Sequence, residues 1–308
     1  MTAAAGLVAV TGATGFVGSA LLDEAQRQGF AVRALTRRKQ DARPGVEWVR
    51  GNLANRASLD ALVRGAEAVI HAAGVVNAPD TAGFEAGNVA GTLEVASAAV
   101  RAGVPRFVHV SSLSAREPQL SAYGASKRRA EKIVAASGLD WTMVRPPAIY
   151  GPRDTELFEL FRTAKWGFVP LPGEGRASVI HVADLARLLF ALLPGGEEAT
   201  HMVFEPDDGR AGGWSQRELA EAIGQAVGRR RVWAPQLPPN VLLGAAALDR
   251  VLRRGKAKLT RDRVSYMTWP DWTCSPGKAP PPSRWMPRID TREGLRETAA
   301  WYRKEGWL

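Results

Sequence analysis

Two residues four apart, Tyr123 and Lys127, stand in the stretch Tyr123–Ala136, whose pattern reads as a helix. That spacing sets both side chains on one face, within reach of each other. A free phenol titrates near 10 and exchanges its proton reluctantly at neutral pH, but an adjacent ammonium favours the phenolate and lowers that value. Such a pair suits proton exchange with a substrate oxygen. Upstream, Ser111-Ser112 follow the apolar run Phe107–Val110, which places two hydroxyls at the carboxyl end of a strand candidate, where open α/β sheets hold their ligands. Tyr-x-x-x-Lys and paired serines are each commonplace alone. Their order and company give them meaning.

Other chemistries find little support. The four histidines show no spacing with Glu or Cys that suggests a metal, so no metal site is expected; His71 and His109 end or interrupt apolar strands, and packing explains them. No Gly-x-Ser-x-Gly elbow is present, which argues against a serine hydrolase. Cys274 is the only cysteine, excluding an intrachain disulfide and a cysteine cluster for zinc or iron–sulfur.

The elements that must position these groups are readable up to about residue 145. Strand candidates Leu7–Val10, Ala31–Leu35, Val46–Val49, Ala68–His71, Phe107–Val110 and Trp141–Val144 alternate with the amphipathic stretches Val17–Gln28, Leu59–Val63, Thr92–Arg101 and Tyr123–Ala136. That alternation predicts a parallel α/β sheet with right-handed crossovers. Beyond Arg145 the prolines and glycines at Pro146-Pro147, Gly151-Pro152 and Pro170–Gly173 break the chain into loops. A further β-α unit follows at Ser178–Val182 and Leu185–Leu193, then helix candidates Gln216–Val227 and Val241–Leu252 and a Pro/Trp-rich stretch from Trp269 to Pro287. The expected fold is α/β, a Rossmann-type doubly wound parallel sheet with a smaller C-terminal substrate lobe. Residues 1–150 form its sheet domain, the candidate for ligand binding, 176–195 return to it, and 151–175 with 196–308 make the lobe.

The chain has 308 residues, 45% of them apolar and 23% charged, an ordinary globular composition. Its net charge of +10 can attract nucleic acid, anionic lipid or a phosphorylated ligand, although a solvated basic surface accounts for most of it. No aromatic-interleaved basic motif or zinc-finger spacing points to nucleic acid. The amino terminus enters the run Leu7–Val10 without a basic flank or long apolar segment, and no run of about 18 apolar residues occurs. A cytoplasmic location is expected, without a transmembrane segment. The segment Val241–Arg254 has an apolar body and a basic end, which fits a core-facing helix or, alternatively, peripheral contact with anionic lipid. A monomer and a homodimer are both compatible with the sequence.

From Leu7 to Leu22 the chain passes from strand through Gly12, Gly15 and Gly18 straight into a helix. The first glycine permits the tight turn, the second lets the backbone approach a pyrophosphate, and the third lets the helix pack close to the sheet. The helix start, around Thr14, Phe16 and Val17, then offers free N–H groups and partial positive charge to phosphates. This Thr-Gly-x-x-Gly-x-x-Gly segment resembles the fingerprint of the extended short-chain dehydrogenase/reductase superfamily, which includes epimerase/dehydratase, 3β-hydroxysteroid dehydrogenase-like and dihydroflavonol reductase-like members. The resemblance continues through His71-Ala72-Ala73-Gly74, Asn88–Thr92, Ser111-Ser112, Tyr123–Lys127, Arg145-Pro146-Pro147, Tyr150–Arg153 and His181–Asp184, over roughly the first 185 residues.

The resemblance implies Tyr123 as general acid/base, Lys127 as its partner and holder of the nicotinamide ribose, and Ser112 as hydrogen-bond donor to the substrate oxygen, with Ser111 as the alternative. It implies further cofactor contacts at Ala72, Ala73, Gly74, Ser111, Pro146, Pro147 and Ala148. Asn88 matches a family asparagine that supports the site, and a helix-interior polar anchor explains it nearly as well.

Where an NAD-selective site carries an acid, the second strand here ends Leu35-Thr36-Arg37-Arg38, so a 2′-phosphate meets donors and no repulsion. NADP(H) is expected over NAD(H), which stays possible. The family's Gly-Asp-Leu near the adenine is Gly51-Asn52-Leu53, and Asn52 can still hydrogen-bond the base.

Sugar-nucleotide members place an asparagine shortly after the arginine matching Arg145, whereas Pro147 has neither a side-chain amide nor a backbone N–H. The sequence therefore favours NADP(H)-dependent interconversion of a carbonyl and a secondary alcohol on a small, hydrophobic substrate. A nucleotide-sugar epimerase/dehydratase and a non-catalytic NADPH-binding sensor or assembly protein are the alternatives.

Overall fold

The computed structural model describes residues 5–253 and 259–308. Met1–Ala4 and Arg254, at the basic end of the Val241–Arg254 segment, lie outside them. Two compact units emerge: residues 1–145, 185–204 and 280–285 form the first, and 146–184, 205–279 and 286–308 the second.

The first unit carries β1 (Ala5–Thr11), β2 (Phe30–Thr36), β3 (Val46–Arg50), β4 (Ala68–His71), β5 (Arg106–Val110) and β6 (Trp141–Val144). Between them run α1 (Phe16–Gln28), α2 (Arg56–Val63), α3 (Thr81–Phe84), α4 (Gly91–Arg101) and α5 (Ala122–Ala135), with a π-helical turn at Glu85–Ala90 leading into α4. In the second unit lie β7 (Ala148–Tyr150), α6 (Phe158–Ala164), β8 (Arg176–Ala177) and β9 (Val179–His181). The helix α7 (Val182–Ala191) crosses the division, and β10 (Met202–Phe204) belongs to the first unit. The second unit continues with β11 (Trp214–Ser215), α8 (Gln216–Ala226), α9 (Pro239–Arg253), α10 (Arg261–Met267), β12 (Asp271–Trp272) and α11 (Thr291–Lys304).

Seven parallel strands make the main sheet in the order β10-β6-β5-β4-β1-β2-β3. Central strands of a parallel sheet are covered on both faces and so read as continuous apolar runs. β4 and β5 are buried at every position, whereas the edge strand β3 is partly exposed throughout. Strand order reverses between β1 and β4, which pair with Thr11 opposite His71. A doubly wound sheet opens its ligand crevice at such a reversal. Beneath it, Leu59, Leu62, Val95, Phe107 and Met143 share one apolar core.

The division differs from the expected boundaries in four places, two of them being 146–150, which fall in the second unit, and 280–285, which fall in the first. Residues 176–184 fall in the second unit because β9 pairs with β7 in a separate two-stranded sheet. Residues 196–204 fall in the first because β10 extends the main sheet, its Val203 beside Met143. Three residues are too few to show a period, so β10 leaves no trace in the sequence pattern.

Phe161, Ile223, Leu295 and Tyr302 anchor the core of the second unit, joining α6, α8 and α11. The helix α9 packs Leu242 and Ala246 against Val264 and leaves Val241, Leu248 and Val251 exposed. Trp214 and Trp285 are buried, Trp166 and Trp233 exposed. No helix among the described residues is long and apolar enough to cross a membrane.

Candidate active site

The loop between β1 and α1 shows why three glycines stand there, and for different reasons. Gly12 has φ +73°, and a Cβ on it would lie 2.7 Å from the Ala73 nitrogen and 2.8 Å from the Ala72 carbonyl. A Cβ on Gly18 would strike the Gly12 carbonyl and Ala13. Gly15 differs, because its φ of −86° suits any residue and a Cβ would meet only the Gly12 oxygen at 3.3 Å. That contact is tight but lacks the overlap found at the other two glycines, and a glycine there also lets a ligand come close to the backbone. Gly15 is also the N-cap of α1, without a side-chain cap or an acidic residue in the first turn, so the N–H groups of Phe16, Val17 and Gly18 are free for phosphates. A dinucleotide fits this cradle.

At the end of β2, Thr36 is buried and its Oγ1 both donates to the Arg38 carbonyl and accepts from the Arg38 N–H. The threonine thus builds a turn. Arg37, Arg38 and Lys39 project from that turn into solvent, and no carboxylate pairs with them among the described residues. Sequence reasoning passed over Lys39, although its place in the cationic run was the signal. Asn52 is exposed, with Oδ1 accepting from the Ala54 N–H, which leaves its amide nitrogen free. Leu53 packs against the first unit's core and lies over Gly91.

Polar contacts fix α5 to the carboxyl ends of β5 and β6. Lys127 is 5% exposed, and its Nζ donates to the Val110 carbonyl at 2.8 Å. Four residues on, the buried Glu131 accepts from the Ser111 hydroxyl and from Arg145 Nε, each at 2.7 Å. Burial pushes the Glu131 carboxyl up, but hydrogen bonding and charge from Arg145, helped by Ser111 and Arg128, hold it below the usual range. Burial pulls the Lys127 ammonium down to about 8, opposed by the Glu131 carboxylate. Lys127 makes one hydrogen bond of the three its ammonium can donate, so two donors remain. Tyr123, one turn earlier, is half-buried, its ring 6.0 Å from that of Phe84.

The two serines separate. The Ser111 hydroxyl proton is committed to Glu131, while Ser112 Oγ accepts from the Ser114 N–H and keeps its own proton to donate. Asn88 hydrogen-bonds Val75 through both ends of its amide and donates to Ser126 Oγ at 2.9 Å, so its side chain holds the loop after β4 against α5. Both amide hydrogens are committed to protein, the arrangement of the helix-interior polar anchor that was one of its two expected roles. Ala72, Ala73 and Gly74 line the same loop, with Lys127 Nζ 3.7 Å from where a Gly74 Cβ would sit. Pro146, Pro147 and Ala148 belong to the second unit, where they lead into β7.

A buried chain that sequence reasoning took for packing joins these parts. The Thr92 hydroxyl donates to the Asn88 carbonyl at 2.6 Å, so it accepts from His71 Nε2 at 3.0 Å. The opposite nitrogen, Nδ1, then accepts from Thr11 Oγ1 at 2.6 Å, and Thr11 in turn accepts from the Ala73 N–H. Ser126 continues the chain from Asn88 to the Tyr123 carbonyl at 2.7 Å. His71 stays neutral, its pKa brought down to about 3 by burial and then by Lys127. His109 stacks on it at 5.3 Å with neither nitrogen hydrogen-bonded.

Comparison with known proteins agrees with this geometry. The family described as NAD(P)H-binding matches residues 12–194. A ceramide reductase of Caulobacter vibrioides is 36% identical over 316 residues, covering 100% of this chain and 98% of that protein. A 2-alkyl-3-oxoalkanoate reductase of Stenotrophomonas maltophilia is 30% identical over 335 residues, covering 95% and 98%. Among solved structures, gox2253 superposes with a TM-score of 0.79 at 24% identity, covering 98% of this chain and 99% of that one. With the glycine cradle and the strand order, these likenesses identify the chain as an NAD(P)-dependent oxidoreductase belonging to the NAD(P)H-binding family of the extended short-chain dehydrogenase/reductase superfamily.

Proposed function

We propose that this chain reduces the carbonyl of an apolar substrate to a secondary alcohol with NADPH, and catalyses the reverse reaction with NADP⁺. The observation that carries the reading is the buried Lys127, held by the Val110 carbonyl one helical turn from Tyr123 with two N–H donors to offer. An ammonium so placed holds the cofactor's ribose hydroxyls and sets a positive charge one helical turn from the phenol. Tyr123 Oη gives a proton to the carbonyl oxygen as that oxygen gains negative charge, and Ser112 Oγ donates a hydrogen bond to the same atom. The nicotinamide, when bound, supplies the hydride in reduction and accepts it in oxidation.

The N–H groups at the start of α1 hold the pyrophosphate, and Gly15 keeps the backbone low enough for its approach. Arg37 and Arg38 receive the 2′-phosphate, whose charge finds an unpaired guanidinium there. Thr36 sets the turn that presents them, and Asn52 meets the adenine. His71, Thr92 and Asn88 keep the cradle and α5 in register.

Two relatives support an apolar substrate. One is named for ceramide, and the other for an oxo group beside an alkyl chain. The test is a series of ketones and 3-oxo acids of rising chain length, supplied with NADPH or NADH while loss of the reduced nicotinamide is followed. The reading predicts turnover that favours NADPH and a kcat/KM that rises with chain length. Tight cofactor binding with no carbonyl turned over, or conversion of a UDP-sugar without net change in the cofactor, would overturn it.

A further inference from the structure

We propose that the second unit docks on an anionic lipid bilayer through a patch formed where two helices end. The segment Lys165-Trp166-Gly167-Phe168 leaves α6, and Arg229-Arg230-Arg231-Val232-Trp233 leaves α8. The two run side by side: the Trp233 N–H donates to the Gly167 carbonyl at 2.7 Å, and the Val169 N–H to the Trp233 carbonyl at 3.0 Å. Arg229 clamps the Lys165 carbonyl with Nε and Nη2 at 2.9 and 2.7 Å. The Phe168 and Trp233 rings lie 5.4 Å apart. One surface therefore gathers Trp166, 80% exposed, Trp233, 71% exposed, and the exposed cations Lys165, Arg229, Arg230 and Arg231.

Part of this has a local explanation. Cations beyond the last turn of a helix favour its negative end, and Lys165 is the C-cap of α6. That accounts for positive charge and leaves the indoles unexplained, since the same unit buries Trp214 to 4% exposure. An indole has an apolar body and a polar N–H, which suits it to the headgroup level of a membrane. None of the four cations pairs with a carboxylate among the described residues; nearby Glu159 pairs with Arg162. Uncompensated cations around exposed tryptophans complement a surface that is negative outside and apolar beneath. Single-stranded nucleic acid asks for a groove that tracks its backbone over several nucleotides, whereas this patch is confined to two adjacent turns.

The inference stands on this surface and is independent of the proposed substrate. Its test is co-sedimentation of the whole protein with vesicles of phosphatidylcholine alone and of phosphatidylcholine with phosphatidylglycerol. The wild type is expected to pellet with the anionic vesicles and to lose most of that binding without phosphatidylglycerol or in high salt. Replacing both indoles (Trp166→Ala with Trp233→Ala) should weaken partitioning about tenfold or more. Arg230→Glu with Arg231→Glu should weaken it further, since each interfacial cation contributes about fivefold. Brominated acyl chains should quench wild-type tryptophan fluorescence more than that of the double indole variant. Unchanged cofactor binding reports an intact fold, and if the indole pair fails that control the charge-reversal pair carries the test. Absence of sedimentation with anionic vesicles, or equal binding by the wild type and the folded variants, would overturn the proposal. So would a patch that served only a second copy, seen as a dimer that the indole variant dissociates without any vesicle binding, or one that bound oligonucleotides and no vesicles.

Discussion

Two charged regions of the first unit lie at the same end of its sheet and differ in what surrounds them. At the carboxyl ends of β5 and β6, Glu131 and Arg145 are buried and bound to each other, Glu131 also to Ser111, next to Lys127. Just past β2, Arg37 and Arg38 stand in solvent, and no carboxylate pairs with their guanidinium groups among the described residues. Charges that have been desolvated and matched hold elements in place, because separating them leaves a bare ion in an apolar surrounding. Exposed, unmatched charges do little for the fold and are free for a ligand. In the function proposed above, the first region sets where Tyr123 stands and the second is the one that would read the dinucleotide's 2′-phosphate.

The largest effect that sharpens this contrast is expected at Arg145. Arg145→Met leaves the buried Glu131 with only the more exposed Arg128 and the Ser111 hydroxyl as partners, which should cost about 3 kcal/mol of stability, read from the denaturant midpoint. Replacing Glu131 by Leu in the same chain should recover much of that loss. A single variant within about 0.5 kcal/mol of wild type would show that the pair does not hold α5.

At Arg37 the effect moves from folding to binding. Arg37→Ala should leave stability unchanged and raise the NADPH dissociation constant about 10- to 100-fold, the range of a charge-assisted hydrogen bond, with NADH affected about twofold or less. Equal losses for both cofactors would mean that Arg37 does not read the 2′-phosphate.

The stacked histidines repeat the contrast without charge. His71 is hydrogen-bonded at both nitrogens and His109 at neither, although both are fully buried. Removing His71 strands Thr11, so His71→Leu should cost about 1–3 kcal/mol, whereas His109→Leu should be nearly neutral or stabilising. Similar losses at the two positions would contradict the hydrogen-bond chain.

A smaller effect lies in the pH profile. Because burial brings Lys127 to about 8, its ammonium is lost as pH rises through that value, and kcat/KM for reduction should fall above it. A profile level up to pH 10 would separate Lys127 from catalysis.

Much of the first unit was legible because its chemistry is local. The strands β4 and β6 announce themselves as apolar runs with the bounds the structure has, and the glycine loop lies within eight residues of one turn. Tyr123 and Lys127 were readable as a pair because four residues make one helical turn. The link from Glu131 to Arg145 was not, since fourteen residues separate the partners and only the docking of α5 against β6 joins them. A glutamate four residues beyond the lysine was the available hint. The chain through His71 spans β1, β4, α4 and α5, and no periodicity encodes it.

The second unit was harder to read, since β8, β11 and β12 have two residues each and pair across long separations. The helix α11 left clearer marks that went unread: Asp290 caps the Glu293 N–H, and Leu295, Ala299 and Tyr302 recur at helical spacing toward the core.

The central claim is that Tyr123 supplies the proton, and Tyr123→Phe tests it most directly when turnover and NADPH binding are measured on the same preparation. The account predicts a loss of kcat of about a hundredfold or more with the NADPH dissociation constant changed less than about threefold. Full activity in that variant, with the cofactor bound as in the wild type, would contradict it.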